Sequence, residues 1–249
     1  MILILGNSDD SLLYLKTLVR YEEEVPFTKS VTTYLGKLHG QDVCIAKTNY
    51  SSYSSEVVAT SLIAKYNPYV VIYIGDSTAV SKELNVGDIF IPNKVMIGDV
   101  NQTKRSTDYK INEVPGYSIF RLNSFLTESF TDAVSSFGII DIKKGTLVSS
   151  NTYITDRTEL NFNPKDIEEV RKESVAIDCE VGGVSLACTF YDLPFIPITT
   201  ISCLIDNEES LLERTKVCLK KSVDIGKIII SFIAKISTEE AEKDYDRKD

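Results

Sequence analysis

With 249 residues, 43% of them hydrophobic and 25% charged, the chain has the composition of a globular protein and not of a disordered one. Its formal net charge of −9 excludes the broad basic face that a general nucleic-acid binder needs. A single histidine, and five cysteines (Cys44, Cys179, Cys188, Cys203 and Cys218) without a C-x-x-C pair, argue against a zinc site and suit a reducing, cytoplasmic setting.

The first apolar run, Ile2 to Leu5, predicts a buried strand ending at Gly6; with no basic leader before it, it reads as structure and not as a signal peptide. Asn7, Ser8, Asp9 and Asp10 supply caps and acids for a helix from about Ser11, in which Leu12, Leu13, Leu15, Leu18 and Val19 recur at helical spacing. Val31 to Leu38 and Asp42 to Lys47 predict a hairpin turning at His39-Gly40, which makes His39 a loop residue. Val57, Ala59, Leu62, Ile63 and Tyr66 predict an amphipathic helix closed by Pro68. Tyr69 to Ile74 is a continuous apolar run, as in a central strand covered on both faces.

Further strands are predicted at Ile89 to Pro92, Lys94 to Ile97 and Lys144 to Ser150, with a long loop from Gly98 to Tyr117. Helices are predicted at Ser124 to Phe137 and Pro164 to Lys172. Strand Val175 to Ile177 then leads through Asp178-Cys179-Glu180 into a helix of small residues. Strand Phe195 to Ile201 leads into Ser202, Cys203 and Asp206, and a long helix from Ser210 to Ile236 closes the domain. No run reaches the roughly 18 apolar residues of a membrane span. The expectation is an α/β class, one domain over residues 1–236 with a mixed central β-sheet flanked by helices, and a charged, frayed tail over 237–249.

Four predicted strand ends converge on one edge: Gly6 to Asp10, Gly75 to Ala79, Ser149 to Tyr153, and Ser202 to Asp206. In an open α/β sheet such an edge is where ligands bind. Each candidate has an ordinary structural role beside the functional one. Glu180 suits either a ligand contact or a helix cap, and Tyr153 either base stacking or core packing. Cys203 suits a buried thiol, Asp206 a helix N-cap, and Asp9 and Asp10 helix capping.

Five segments in order resemble the nucleoside phosphorylase/nucleosidase superfamily, and within it the methylthioadenosine/S-adenosylhomocysteine nucleosidases. They are Gly36-Lys37-Leu38, Leu84 to Ile89, Gly145 to Ser149, Ala176 to Glu180, and Val184 to Ser202. The resemblance, over about residues 1 to 230, implies a nucleoside phosphorylase-like fold, no cofactor and no metal. It implies a purine nucleoside or adenine as ligand, and a homo-oligomer (a dimer) or a hetero-oligomer with an active paralogue. It also implies a chemistry in which a carboxylate activates water, an aspartate protonates the departing base, a glutamate grips the ribose and an aromatic ring stacks on the base.

Carried onto this chain, the resemblance makes Glu180 the ribose ligand, with Asp178 and Cys179 in the same motif, Tyr153 the stacking ring, Gly75 the first glycine of a ligand-facing turn, and Ser202 the first residue of the S-D pair. Cys203 stands where the acid belongs and Ser11 where the water activator belongs. Asp76 adds a charge opposed to phosphate. Three expectations follow: a nucleoside-binding homologue with impaired catalysis; an active nucleosidase using Asp10 as base and Asp206 or Cys203 as acid; or a structural or storage protein using the fold alone.

Overall fold

The computed structural model describes residues 1–100, 119–122, 130, 132, 141–160, 173–207 and 209–246. The chain begins with strand β1 (Ile2–Gly6), helix α1 (Asp9–Leu18), strands β2 (Arg20–Pro26), β3 (Thr32–Leu38) and β4 (Gln41–Lys47), and helix α2 (Ser52–Tyr66). Strands β5 (Val70–Ala79), β6 (Ile89–Phe90), β7 (Lys94–Ile97), β8 (Ile119–Arg121), β9 (Ile142–Lys143), β10 (Gly145–Ser149) and β11 (Ser174–Asp178) follow. Helix α3 (Val181–Phe190), strand β12 (Phe195–Leu204) and helix α4 (Leu211–Asp246) complete it. Most of the predicted loop at 98–117 and the predicted helices at 124–137 and 164–172 lie outside the described residues, as does the end of the tail, 247–249.

The strands form one mixed sheet in the order β2-β3-β4-β1-β5-β11-β10-β7-β8, with β12 beside β5 and β6, and β9 beside β6. Alternation sorts the core. Leu3, Leu5, Val71 and Tyr73 pack with Val58, Leu62 and Val184 toward α2 and α3. Ile2, Ile4, Ile72 and Ile74 pack with Leu12 and Leu15 of α1 and Ile225, Ile228, Ile229 and Phe232 of α4. The spacing of those α4 residues is that of one helical face. Helices thus cover both faces of the sheet, and among the described residues none is long and apolar enough to cross a membrane.

Strand β5 is the hub. Along one edge it pairs with β12 from Val71 to Ala79. On the other edge it pairs with β1 from Val70 to Ile74, and with β11 only at Thr78 and Ala79. Gly75, Asp76 and Ser77 therefore sit where β1 and β11 diverge, which is the kind of fork at which open α/β sheets bind ligands.

Three sequence expectations change. Gly75 to Ala79 is not a turn but the second half of β5, because β12 and β11 pair with it. Arg20–Pro26, unassigned from sequence, is edge strand β2. Helix α4 runs to Asp246, ten residues past the predicted end at Ile236. The predicted hairpin turns at His39 and Gly40, both with positive φ (47° and 81°), as a tight two-residue connection requires.

Candidate functional site

A cavity of about 410 Å³ opens at this fork, within the range of small-molecule sites. Its walls come from the second half of β5 (Asp76, Ser77, Thr78), the segment after β10 (Asn151 to Ile154), the end of β11 and the residues after it (Ile177 to Glu180), the start of α4 (Leu211, Arg214), and Tyr50.

The β11 end is built from local chemistry. Asp178 Oδ2 accepts hydrogen bonds from the Glu180 and Val181 amides at 2.9 and 2.7 Å. A carboxylate there meets the exposed N–H groups and positive end of α3. Asp178, not Glu180, thus caps α3; Glu180 makes no capping bond with its side chain. Helix α2 fixes the same backbone from below: Ser52 Oγ donates to the Cys179 carbonyl at 3.0 Å and Ser55 Oγ to the Glu180 carbonyl at 2.6 Å. A Cβ at Gly183 would overlap the Ser52 carbonyl oxygen, so glycine there permits the close approach of α2 and α3.

Both carboxyls are buried. Burial pushes Asp178 up to about 6, against the two amide bonds that hold it down. Burial first, then the charges of Asp178 and Asp76, push Glu180 up to about 9. Among the described residues, Asp178 Oδ1 and Tyr73 Oη have no hydrogen-bond partner although both are buried. Burial and the neighbouring acids also raise the Tyr73 phenol.

A second polar group centres on Asp76. Its Oδ1 accepts from Asn7 Nδ2 at 2.6 Å, and its Oδ2 from Ser202 Oγ at 2.7 Å and Arg214 Nη2 at 2.6 Å. Arg214 Nε donates to Ser202 Oγ at 3.1 Å, and its guanidinium lies 4.9 Å from the centre of the Tyr153 ring. Ser11 Oγ donates to Asn7 Oδ1 at 2.9 Å, so Ser11 reaches the cavity only through Asn7 and Asp76. The negative charge of Asp76 is matched within the fold by Arg214, 2.6 Å away.

The fold gathers some of the sequence candidates and disperses others. Tyr153, Asp178, Cys179 and Glu180 line the cavity. Burial raises the Cys179 thiol, which keeps it protonated. Ser202 stands behind Asp76 as its hydrogen-bond donor. Gly75 is buried inside β5, where an added Cβ would collide with the Tyr73 ring, so its role is packing and not contact.

Cys203 is buried off the cavity lining, its thiol directed at the Leu204 and Asn207 carbonyls at 3.2 and 3.5 Å. Asp206 is neither on the lining nor the cap of α4. It pairs with Arg157 at 3.2 Å, while Ser210 and Glu213 cap α4 reciprocally. Asp10 lies in the first turn of α1, also off the lining. Arg214 escaped the sequence reading: twelve residues beyond Ser202 in a charged helix start, nothing local marks it as buried.

The sequence matches the Phosphorylase superfamily over residues 1–234, and the chain belongs to that superfamily. It is 25% identical over 240 residues, 95% of this chain and 96% of the other, to the 5′-methylthioadenosine/S-adenosylhomocysteine nucleosidase of Buchnera aphidicola. Among solved structures it is similar to the enzyme of that name from Neisseria meningitidis in complex with methylthio-immucillin-A, with TM-score 0.82, 19% identity, and 94% and 98% of the two chains covered. It is also similar to the one from Colwellia psychrerythraea in complex with adenine, with TM-score 0.81, 19% identity and 93% of each chain covered.

Proposed function

We propose that this protein is a purine-nucleoside-binding member of the superfamily with impaired catalysis. One observation carries the reading. The groups suited to holding a nucleoside gather round the cavity, and Cys203, Asp206, Ser11 and Asp10, the positions to which the sequence assigns proton transfer, do not. Glu180 and Asp178 offer hydrogen-bonding oxygens for ribose hydroxyls, and Tyr153 and Tyr50 offer aromatic surface for a base. Cys203 is bonded to main-chain carbonyls, Asp206 to Arg157, and Ser11 to Asn7. Loss of each proton-transfer role costs on the order of 10²- to 10⁴-fold in rate. The adenine and nucleoside-analogue complexes of its structural relatives support the choice of ligand class.

The test is a thermal-shift screen with purine bases and nucleosides beside an assay for base release from methylthioadenosine. Binding at 100 times the dissociation constant stabilises by about 2.7 kcal/mol, so a clear rise in Tm without release is expected. A flat screen would sink the binding reading and favour a structural role. Base release would favour a second reading, a divergent nucleosidase. That reading has one observation of its own: a carboxyl of raised pKa, Glu180, stands in the cavity as a proton donor near neutral pH.

A further inference from the structure

Among the described residues Arg214 is the one cation on the cavity wall, and its side chain is only 9% exposed. Its Nε donates to Ser202 and one Nη2 hydrogen to Asp76. A guanidinium carries five N–H donors and no acceptor. Among the described residues Nη1 makes no hydrogen bond, so donors are left for whatever occupies the cavity. Leaving such donors unmatched on ligand binding is costly, because a desolvated donor without an acceptor loses its water and gains nothing.

The lining combines two chemistries: Asp178 and Glu180 bring carboxyls, while Tyr50, Tyr153, Ile154, Ile177 and Leu211 bring aromatic and apolar surface. A planar base suits the aromatic surface, and the Arg214 guanidinium lies 4.9 Å from the centre of the Tyr153 ring. Asn151, an amide on the wall, is bonded within the fold at both ends of its carboxamide. Its Nδ2 donates to Asp99 at 3.2 Å and its Oδ1 accepts from the Tyr53 amide at 3.4 Å.

We propose that Arg214 sets base preference in this cavity, and that the base it selects is a 6-oxopurine over a 6-aminopurine. The proposal rests on the nucleoside-binding reading above. A 6-oxopurine presents two acceptors side by side, O6 and N7, which match the arginine fork. A 6-aminopurine presents a donor, the N6 amine, beside N7, and that edge suits an amide side chain instead. Asp76 and Ser202 hold the guanidinium on one side and Tyr153 supports it on another. The group is therefore fixed before the ligand arrives, which favours discrimination over adaptation.

The experiment titrates the full chain with hypoxanthine, inosine, adenine and adenosine by calorimetry. Each 6-oxopurine is expected to bind at least ten-fold tighter than its 6-amino counterpart. Arg214→Lys keeps the charge that Asp76 requires but lacks the fork, and is expected to bring the two affinities within about three-fold. Arg214→Gln is expected to equalise or invert them.

Adenine binding as tightly as hypoxanthine to the unaltered protein would overturn the proposal and leave the nucleoside-binding reading standing. Binding of no purine at all would overturn both. A preference for 6-oxopurines that survives unchanged in folded Arg214→Lys and Arg214→Gln would also overturn it. If neither variant folds, the comparison on the unaltered chain decides.

Discussion

Replacing Glu180 by glutamine tests whether this carboxyl is buried as the structure places it. Burial and the charges of Asp178 and Asp76 raise Glu180 from 4.5 to about 9. Between those values the folded chain holds a proton that the unfolded chain has released. Stability is then fully present below about pH 4.5 and falls as pH rises toward 9, with a slope of at most one proton, about 1.4 kcal/mol per pH unit. Asp178, raised to about 6, adds a slope of the same sign below pH 6. Buried thiols such as Cys44, pushed to about 12, add theirs as free thiols begin to ionise, above about pH 8. The window from pH 6 to 8 therefore isolates Glu180, and about 3 kcal/mol should be lost across it. Urea unfolding at pH 6, 7 and 8 measures this directly. The Glu180→Gln variant keeps the shape and cannot ionise, so its stability should be level over the same range. Equal slopes in the two proteins, or a level profile in the unaltered one, would show that Glu180 is not the buried carboxyl that titrates in this range.

Gly183→Ala drives a methyl group into the Ser52 carbonyl and forces α2 from α3; about 1–3 kcal/mol of stability should be lost on urea unfolding. Asp76→Ala leaves the Arg214 guanidinium buried without its counter-charge. About 3–5 kcal/mol should be lost, and Asp76→Asn, which keeps an acceptor, should lose less. Asp206→Ala breaks a pair whose members are 49% and 48% exposed, so its effect on stability should stay under about 1 kcal/mol. Yet the Asp206 carboxylate also accepts from the Arg157 amide at 2.7 Å, in the segment that follows Tyr153 and Ile154. Calorimetry should therefore show ligand affinity reduced several-fold with little change in Tm, and an unchanged affinity would remove its positioning role.

The core of the fold was legible because its strands carry their own signal. Ile2 to Leu5 and Tyr69 to Ile74 are apolar throughout, and Phe195 to Ile201 is broken only by Thr199 and Thr200, as suits strands covered on both faces. Strand β2 left no such trace. It is an edge strand, exposed over nearly its whole length, and its glutamates suit an edge that must not pair further. The polar stretch Gly75 to Ala79 looks like a loop by composition and becomes strand only through its pairing with β12 and β11.

The same contrast runs through the site. Asp178, Cys179 and Glu180 were readable because strand, cap and helix follow one another within a few residues. The β12 end was not. Its register against β5 slips between Ile201 and Cys203, and a one-residue slip changes which side chains face a given side. Ser202 meets Asp76, and Cys203 turns to main-chain carbonyls.

Pairing across the fold also inverts the meaning of single charges. In the sequence, Asp76 is an isolated acid and Arg214 lies 138 residues away; in the fold they share a bond of 2.6 Å. That pair is neutral as a unit. Glu180, raised to about 9, is protonated near pH 7, which leaves Asp178 as the charged carboxylate in its part of the wall. A cavity with three acids therefore presents about one negative charge, and that one faces the N-terminal end of α3. Such a surface neither attracts a polycation nor matches a phosphate dianion. It suits a neutral ligand with hydroxyls for the acids and a flat ring for the tyrosines.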